Sequence, residues 1–315
     1  MIHSPICDLL NIKYPVFCGG MAHVSDAVLA AAVSNAGGLG VIASGGETPA
    51  KARAQIRAAR TLTDRPFALN IMLMSPQAAE VAQIAAEESV DVVISGAGSP
   101  EKYMSMWRES GITVIPVIPS VTIARRMERL GAAAIIAEGG ESGGHVGDLT
   151  TMTLLPQVCD AVDIPVIAAG GIGDGRGMAA AFMLGAVGVQ MGTRFLVARE
   201  CGVHPAYKAK VLQAKDTDTI ATGKRLGHTV RSLKTPFSRN YFAKEYDFTV
   251  TNEELEALGG GALRLAAKEG DEQNGCFMAG QISGLISKEQ SVVEIIEEIC
   301  GQAELLLKGA FIWVK

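Results

Sequence analysis

Two glycine-rich segments follow each other along the chain, each at the end of an apolar run: Ala168-Ala-Gly-Gly-Ile and Gln190-Met-Gly-Thr-Arg. Backbone N–H groups in such turns can wrap an anion, and glycine is needed because a Cβ would hold phosphate oxygens away from the amides. Taken singly, these glycines would fit tight turns equally well. Two cradles at consecutive strand ends predict a phosphate-bearing ligand. A third segment, Gly143-Gly-His-Val-Gly, carries a titratable group. Its flanking glycines expose the ring of His145, and an imidazole there can take or give a proton near neutral pH. A loop histidine hydrogen-bonded to backbone is the plainer alternative. His3, His23, His204 and His228 have less suggestive neighbours, and no spacing of His, Cys, Asp and Glu predicts a transition-metal site.

Positioning these groups falls to a repeated strand–loop–helix pattern. Tyr14-Pro-Val-Phe-Cys-Gly-Gly reads as a first buried strand, with a helix from Asp26 to Asn35. Gly38-Leu-Gly-Val-Ile-Ala is a second strand, followed by a helix from about Pro49, a good first-turn residue. Pro66-Phe-Ala-Leu-Asn-Ile-Met-Leu is the third, with a helix opening near Pro76. Val90-Asp-Val-Val-Ile-Ser, Thr113-Val-Ile-Pro-Val-Ile, Ala133-Ala-Ile-Ile-Ala-Glu, Ile164-Pro-Val-Ile-Ala-Ala and Gly188-Val-Gln-Met-Gly complete eight. Apolar runs without alternation belong to strands buried on both faces, as in a parallel sheet. Eight such units predict an α/β fold, a closed (β/α)8 TIM barrel, over an open doubly wound sheet. The open sheet would want GxGxxG after its first strand, and Gly37-Gly-Leu-Gly lacks that spacing. The barrel is expected over residues 1–203, a mainly helical insertion over 204–270, and a C-terminal segment over 271–315 that returns to the barrel. Ser287 to Leu307 reads as a long amphipathic closing helix.

The chain's 315 residues are enough for such a barrel with extensions, and 48% hydrophobic against 19% charged residues excludes disorder. A net charge of −5 argues against a general nucleic-acid binder. Six scattered cysteines without a CxxC pair predict reduced thiols. With no signal-peptide pattern at the N-terminus and no apolar run of membrane length, a soluble cytoplasmic protein is expected.

Nine short motifs, in order and over nearly the whole length, resemble the bacterial enoyl-acyl-carrier-protein reductases of the FMN type and, more distantly, nitronate monooxygenases. They are Gly19-Gly-Met-Ala, Asn35-Ala-Gly-Gly-Leu-Gly, Phe67-Ala-Leu-Asn-Ile-Met-Leu, Gly96-Ala-Gly-Ser-Pro, Ala137-Glu-Gly, Gly143-Gly-His-Val-Gly, Ala168-Ala-Gly-Gly-Ile, Gln190-Met-Gly-Thr-Arg-Phe and Met278-Ala-Gly-Gln. The resemblance implies FMN, with Gly20, Met21 and Ala22 against the isoalloxazine and Asn70 and Glu138 at its polar edge or ribityl chain. Gly170, Gly171, Gly192 and Thr193 would hold the phosphate, Gln190 opens that last motif and is counted with them, and Met278 and Gln281 would close the site. His145 is the implied catalytic residue. The implied reaction is reduction of a trans-2-enoyl thioester by NADH or NADPH, with nitronate oxidation or quinone reduction as alternatives on the same scaffold. Potassium or ammonium dependence and a homodimer are further implications. The acyl carrier protein is acidic, so Lys224, Arg225, Arg231, Lys234 and Arg239 form a candidate docking patch, a solvated face being the alternative. The chain departs from the family pattern at Cys18, where a glutamine is usual, at His23, where an aromatic is usual, and at Ser44-Gly-Gly, where Gly-Asn is usual.

Overall fold

The computed structural model describes residues 2–310; Met1 and residues 311–315, the end of the expected C-terminal segment, lie outside the described residues. The described residues form eleven strands: β1 (Val16–Cys18), β2 (Gly40–Ala43), β3 (Phe67–Met72), β4 (Val92–Gly96), β5 (Thr113–Ile118), β6 (Ile135–Glu138), β7 (Gly144–His145), β8 (Val166–Ala169), β9 (Gly188–Met191), β10 (Thr219–Thr222) and β11 (Val230–Leu233). Eight of them pair in parallel in the order β1-β9-β8-β6-β5-β4-β3-β2. The ring closes between β1 and β2, where Cys18 N–H donates to Leu39 O at 3.0 Å and Leu39 N–H to Val16 O at 2.9 Å. These are the eight strands expected from the sequence, and the fold is a TIM barrel. Every residue of β2, β8 and β9 is buried, which is why their runs lack alternation.

Local chemistry fixes the surrounding helices. Asp26 caps the helix Ala27–Asn35 by accepting from Leu29 N–H, and Thr48 caps Pro49–Leu62. The first of these lies flush on β2: a Cβ on Gly40 would stand 1.8 Å from Ala30 O. At the opposite end of the barrel, Ile6 on the short helix Pro5–Leu10 is fully buried near Gly188.

Residues 204–270 include the helices Pro205–Gln213, Pro236–Glu245 and Asn252–Gly259, and Phe237, Tyr241, Leu255 and Ala262 form a small core with Cys276 of the segment that follows. The insertion also contains a feature absent from the sequence reading. β10 and β11 form an antiparallel hairpin, and β11 pairs on its other side with β7, placing Val230 opposite His145. The closing helix runs Val292–Gly309, beginning five residues later than expected, because Ser291 and Glu294 form a capping box there and residues 281–285 make a 3-10 turn. No described helix is long and apolar enough to cross a membrane.

Candidate active site

The C-terminal ends of the eight strands surround a cavity of about 590 Å³, the face on which this fold places its chemistry. β1 runs out into Gly19-Gly-Met-Ala along one wall. Gly20 has no room for a side chain, since a Cβ would approach Asn70 Cγ to 2.4 Å. Asn70, on β3, is held by the end of β2: its carbonyl accepts from Ser44 N–H at 3.1 Å and Ser44 Oγ–H at 2.8 Å. Across the barrel, Gln190 on β9 is buried in the lining, and its Oε1 has no hydrogen-bond partner among the described residues. A buried acceptor without a donor is costly in an empty site and suits a ligand with a ring N–H. Gly170 and Gly171 follow β8 with φ of +89° and +72°, and a Cβ on Gly170 would meet Gly139 O at 2.7 Å. Gly192 and Thr193 follow β9 and line the same end of the cavity. Glycine-lined turns, a side-chain amide and an orphaned acceptor together fit the phosphate tail and ring of FMN.

Glu138 and His145 are among the ionisable groups that line this space. Glu138, at the end of β6, has no cation beside it; burial pushes its carboxyl up to about 7, while the Ser142 hydroxyl acts the other way. His145 stands at the mouth with part of its ring exposed. Crowding by the protein, and secondarily His228, hold its imidazole below the ordinary range. His228 lines the cavity too, and the sequence reading passed over it; the only signal was its position after Gly227, in the turn between β10 and β11.

The loop bearing His145 is tied down by distant parts of the chain. Arg231 Nε donates to Gly140 O at 3.0 Å and its Nη1 to Thr219 Oγ1 at 3.2 Å, while Val146 N–H donates to Thr229 O at 3.0 Å. The returning segment packs alongside: Gly280 N–H donates to Thr193 Oγ1 at 2.9 Å, and Met278, in the lining, accepts from the buried Tyr207 hydroxyl at 2.7 Å. Tyr207 is a lining residue that no motif announced.

Of the residues expected at the site, Gly20, Met21, Ala22, Asn70, Glu138, His145, Gly170, Gly171, Gln190, Gly192, Thr193 and Met278 all line the one cavity. Gln281 does not; it is exposed, and only its backbone N–H is engaged, with Glu141 O at 2.9 Å. The five-cation patch is also altered. Arg231 is bound as described, and Arg225 turns inward to donate to Asp247 O at 3.2 Å and Val250 O at 2.7 Å, which leaves Lys224, Lys234 and Arg239 exposed. Among the other histidines, His204 caps the helix Pro205–Gln213 by accepting from Ala206 N–H. Among the described residues, no cluster of three or more His, Cys, Asp or Glu could hold a metal ion.

The nitronate monooxygenase family model matches residues 3–302. The chain belongs to the nitronate monooxygenase family. That family comprises FMN-dependent oxidoreductases, FabK among them. The structure of FabK from Thermotoga maritima is 47% identical, with a TM-score of 0.97 and complete coverage of both chains. A probable nitronate monooxygenase of Staphylococcus saprophyticus is 32% identical over 97% of this chain and 99% of its own. A (3aS,4S,5R,7aS)-5-hydroxy-7a-methyl-1-oxo-octahydro-1H-indene-4-carboxyl-CoA dehydrogenase of Mycobacterium tuberculosis is 40% identical over 74% of this chain and 67% of its own length.

Two departures from the family pattern are one feature of this structure. His23, at φ 60°, donates from Nδ1 to Glu47 Oε1 at 3.2 Å, and Glu47 pairs with Lys51 at 2.7 Å. A Cβ on Gly46 would stand 2.6 Å from His23 Nε2. The imidazole therefore packs where only a glycine at 46 leaves it room.

Proposed function

We propose that the protein reduces trans-2-enoyl thioesters, carried on acyl carrier protein or CoA, with NADH or NADPH in fatty acid synthesis. Bound FMN would supply the hydride relay, taking hydride from the nicotinamide and giving it to the substrate β-carbon. The protein's own part is positioning and charge management. Gly20, Met21 and Ala22, which line the cavity, would offer the ring a wall, Asn70 and Gln190 would reach its polar edge, and Gly170, Gly171, Gly192 and Thr193 would grip the phosphate. As hydride arrives at the β-carbon, negative charge grows on the thioester oxygen. His145, uncharged at neutral pH because its environment disfavours the cation, presents an N–H donor to that oxygen.

The observation that carries this reading over others in the family is the full-length similarity to FabK, an enoyl-acyl-carrier-protein reductase. Its test is anaerobic NADH and NADPH oxidation by the flavin-loaded protein with and without a crotonyl thioester. Thioester-dependent consumption is expected; consumption indifferent to thioester would end the reading. Turnover in potassium or ammonium against choline salts tests the cation requirement, and sedimentation tests the proposed homodimer.

One observation favours a second reading. A neutral imidazole is a competent base, so His145 could instead deprotonate a nitroalkane in a nitronate monooxygenase. Rapid oxygen uptake with nitronate and slow reaction with NADH would select it.

A further inference from the structure

Residues 219–244 hold six cations (Lys224, Arg225, Arg231, Lys234, Arg239 and Lys244) and no Asp or Glu, in a chain whose net charge is −5. Arg225 and Arg231 are bound inside the fold. Lys224, Lys234, Arg239 and Lys244 are exposed, and none has an ion pair or side-chain hydrogen bond among the described residues. Aromatic surface lies beside them. The helix Pro236–Glu245 buries Phe237, Ser238, Tyr241 and Glu245, so Arg239, Phe242 and Ala243 share its outer side, and Tyr246 continues that line one turn on. The rings of Phe242 and Tyr246 lie 4.8 Å apart, Tyr246 is 56% exposed, and Phe248 beyond it is 90% exposed. Clustered exposed aromatics with arginine are the composition of binding surfaces.

This face is joined to the cavity mouth by a single turn. Gly227, His228 and Thr229 line the cavity. The same turn is pinned to the end of the helix, where Gly223 N–H and Arg225 N–H donate to Glu245 at 3.0 and 2.9 Å, and to the stretch carrying Phe248 through Arg225.

We propose that this cationic, aromatic-edged face docks an acidic protein that presents the acyl thioester to the cavity. The choice of occupant rests on the reductase reading above and on charge complementarity: four unpaired cations on an acidic enzyme match a negatively charged carrier domain better than another copy of a net-negative chain. The attraction acts over about a Debye length, so it speeds encounter and weakens with salt.

The test compares crotonyl thioesters on acyl carrier protein and on CoA, with the flavin-loaded parent and with R239E/K244E. Lys234→Glu serves as an independent second variant, and melting temperature and flavin absorbance check folding. Expected is a fall of about tenfold or more in kcat/KM for the carrier-borne substrate, mostly in KM, with the CoA substrate within about twofold. Added salt should raise KM for carrier in the parent and have little effect in the variant. Carrier turnover unchanged by both variants would overturn the proposal while leaving the reductase reading intact. An equal loss with CoA would overturn it in favour of a small-anion site. A change of oligomeric state in the variant, with carrier kinetics preserved, would overturn it in favour of contact between copies. A parent that reduces neither thioester overturns the reductase reading itself, and the docking proposal with it.

Discussion

His145 and Glu138 face one cavity with opposite electrostatic settings, and each makes a separate prediction. His145→Ala should retain flavin and lose turnover by about 10²–10⁴-fold, measured as steady-state rate beside the flavin spectrum. Loss of flavin instead would move His145 from chemistry to cofactor binding. Because burial, then His228, keeps the imidazole from protonating, activity that needs neutral His145 should persist below the ordinary histidine range and fall only under more acid conditions. His228→Asn removes the smaller of the two causes, so the acid limb of the pH–rate profile should move to higher pH with turnover retained. Glu138 works the other way. Folded, it keeps its proton to about 7, against 4.5 ordinarily, so the folded state binds more protons between those values and stability falls as pH rises through that window. The effect is at most about 3 kcal/mol, less whatever cavity water screens. Glu138→Gln should remove this slope: in flavin-free protein, its melting temperature should gain on the parent's at pH 8 and not at pH 4. An equal gain at both would show that Glu138 titrates normally.

At the scale of elements, the site depends on close approaches that only glycine allows. Gly20→Ala drives a Cβ into the Asn70 amide, and a forced shift there should weaken FMN binding by tenfold or more at a packing cost of about 1–3 kcal/mol. Flavin titration checks it; unchanged affinity would mean that Asn70 does not touch the cofactor. Gly143→Ala would set a Cβ 2.6 Å from the Ala279 backbone and should loosen the returning segment, lowering the melting temperature. Such contacts also mark what a sequence reader can see. All eight barrel strands were legible because strands buried on both faces write themselves as unbroken Val/Ile/Ala runs, and the glycines at their ends stood out against those runs. The hairpin β10–β11 was not, because Thr219-Ile-Ala-Thr and Val230-Arg-Ser-Leu are four residues each and half-polar, and their partner β7 lies far back in the chain. His228 reaches the cavity through that hairpin, and Tyr207, on the helix Pro205–Gln213, through its hydrogen bond to Met278 O. Gln281 differs for the converse reason: Met278 lines the cavity, but Gln281 opens the 3-10 turn that follows and is exposed.

Over the whole molecule, the barrel supplies the grip and later parts of the chain supply what stands over it. β7 holds His145 through hydrogen bonds to β11, eighty-odd residues downstream, and Arg231 latches the same loop at Gly140. Arg231→Lys, too short and unforked to serve both acceptors, should therefore lower kcat with flavin content retained, and a variant with unaltered kcat would show the latch to be idle. The arrangement also divides inheritance between two regions of the gene. Residues before 203 carry most of the cavity lining, His145 included, whereas those from 219 to 233 brace the strand on which His145 stands and bring His228 to the cavity. Exchanging that short hairpin between relatives should thus transplant reaction preference while leaving the yellow colour untouched, a route by which one scaffold could diversify its chemistry without rebuilding its foundation.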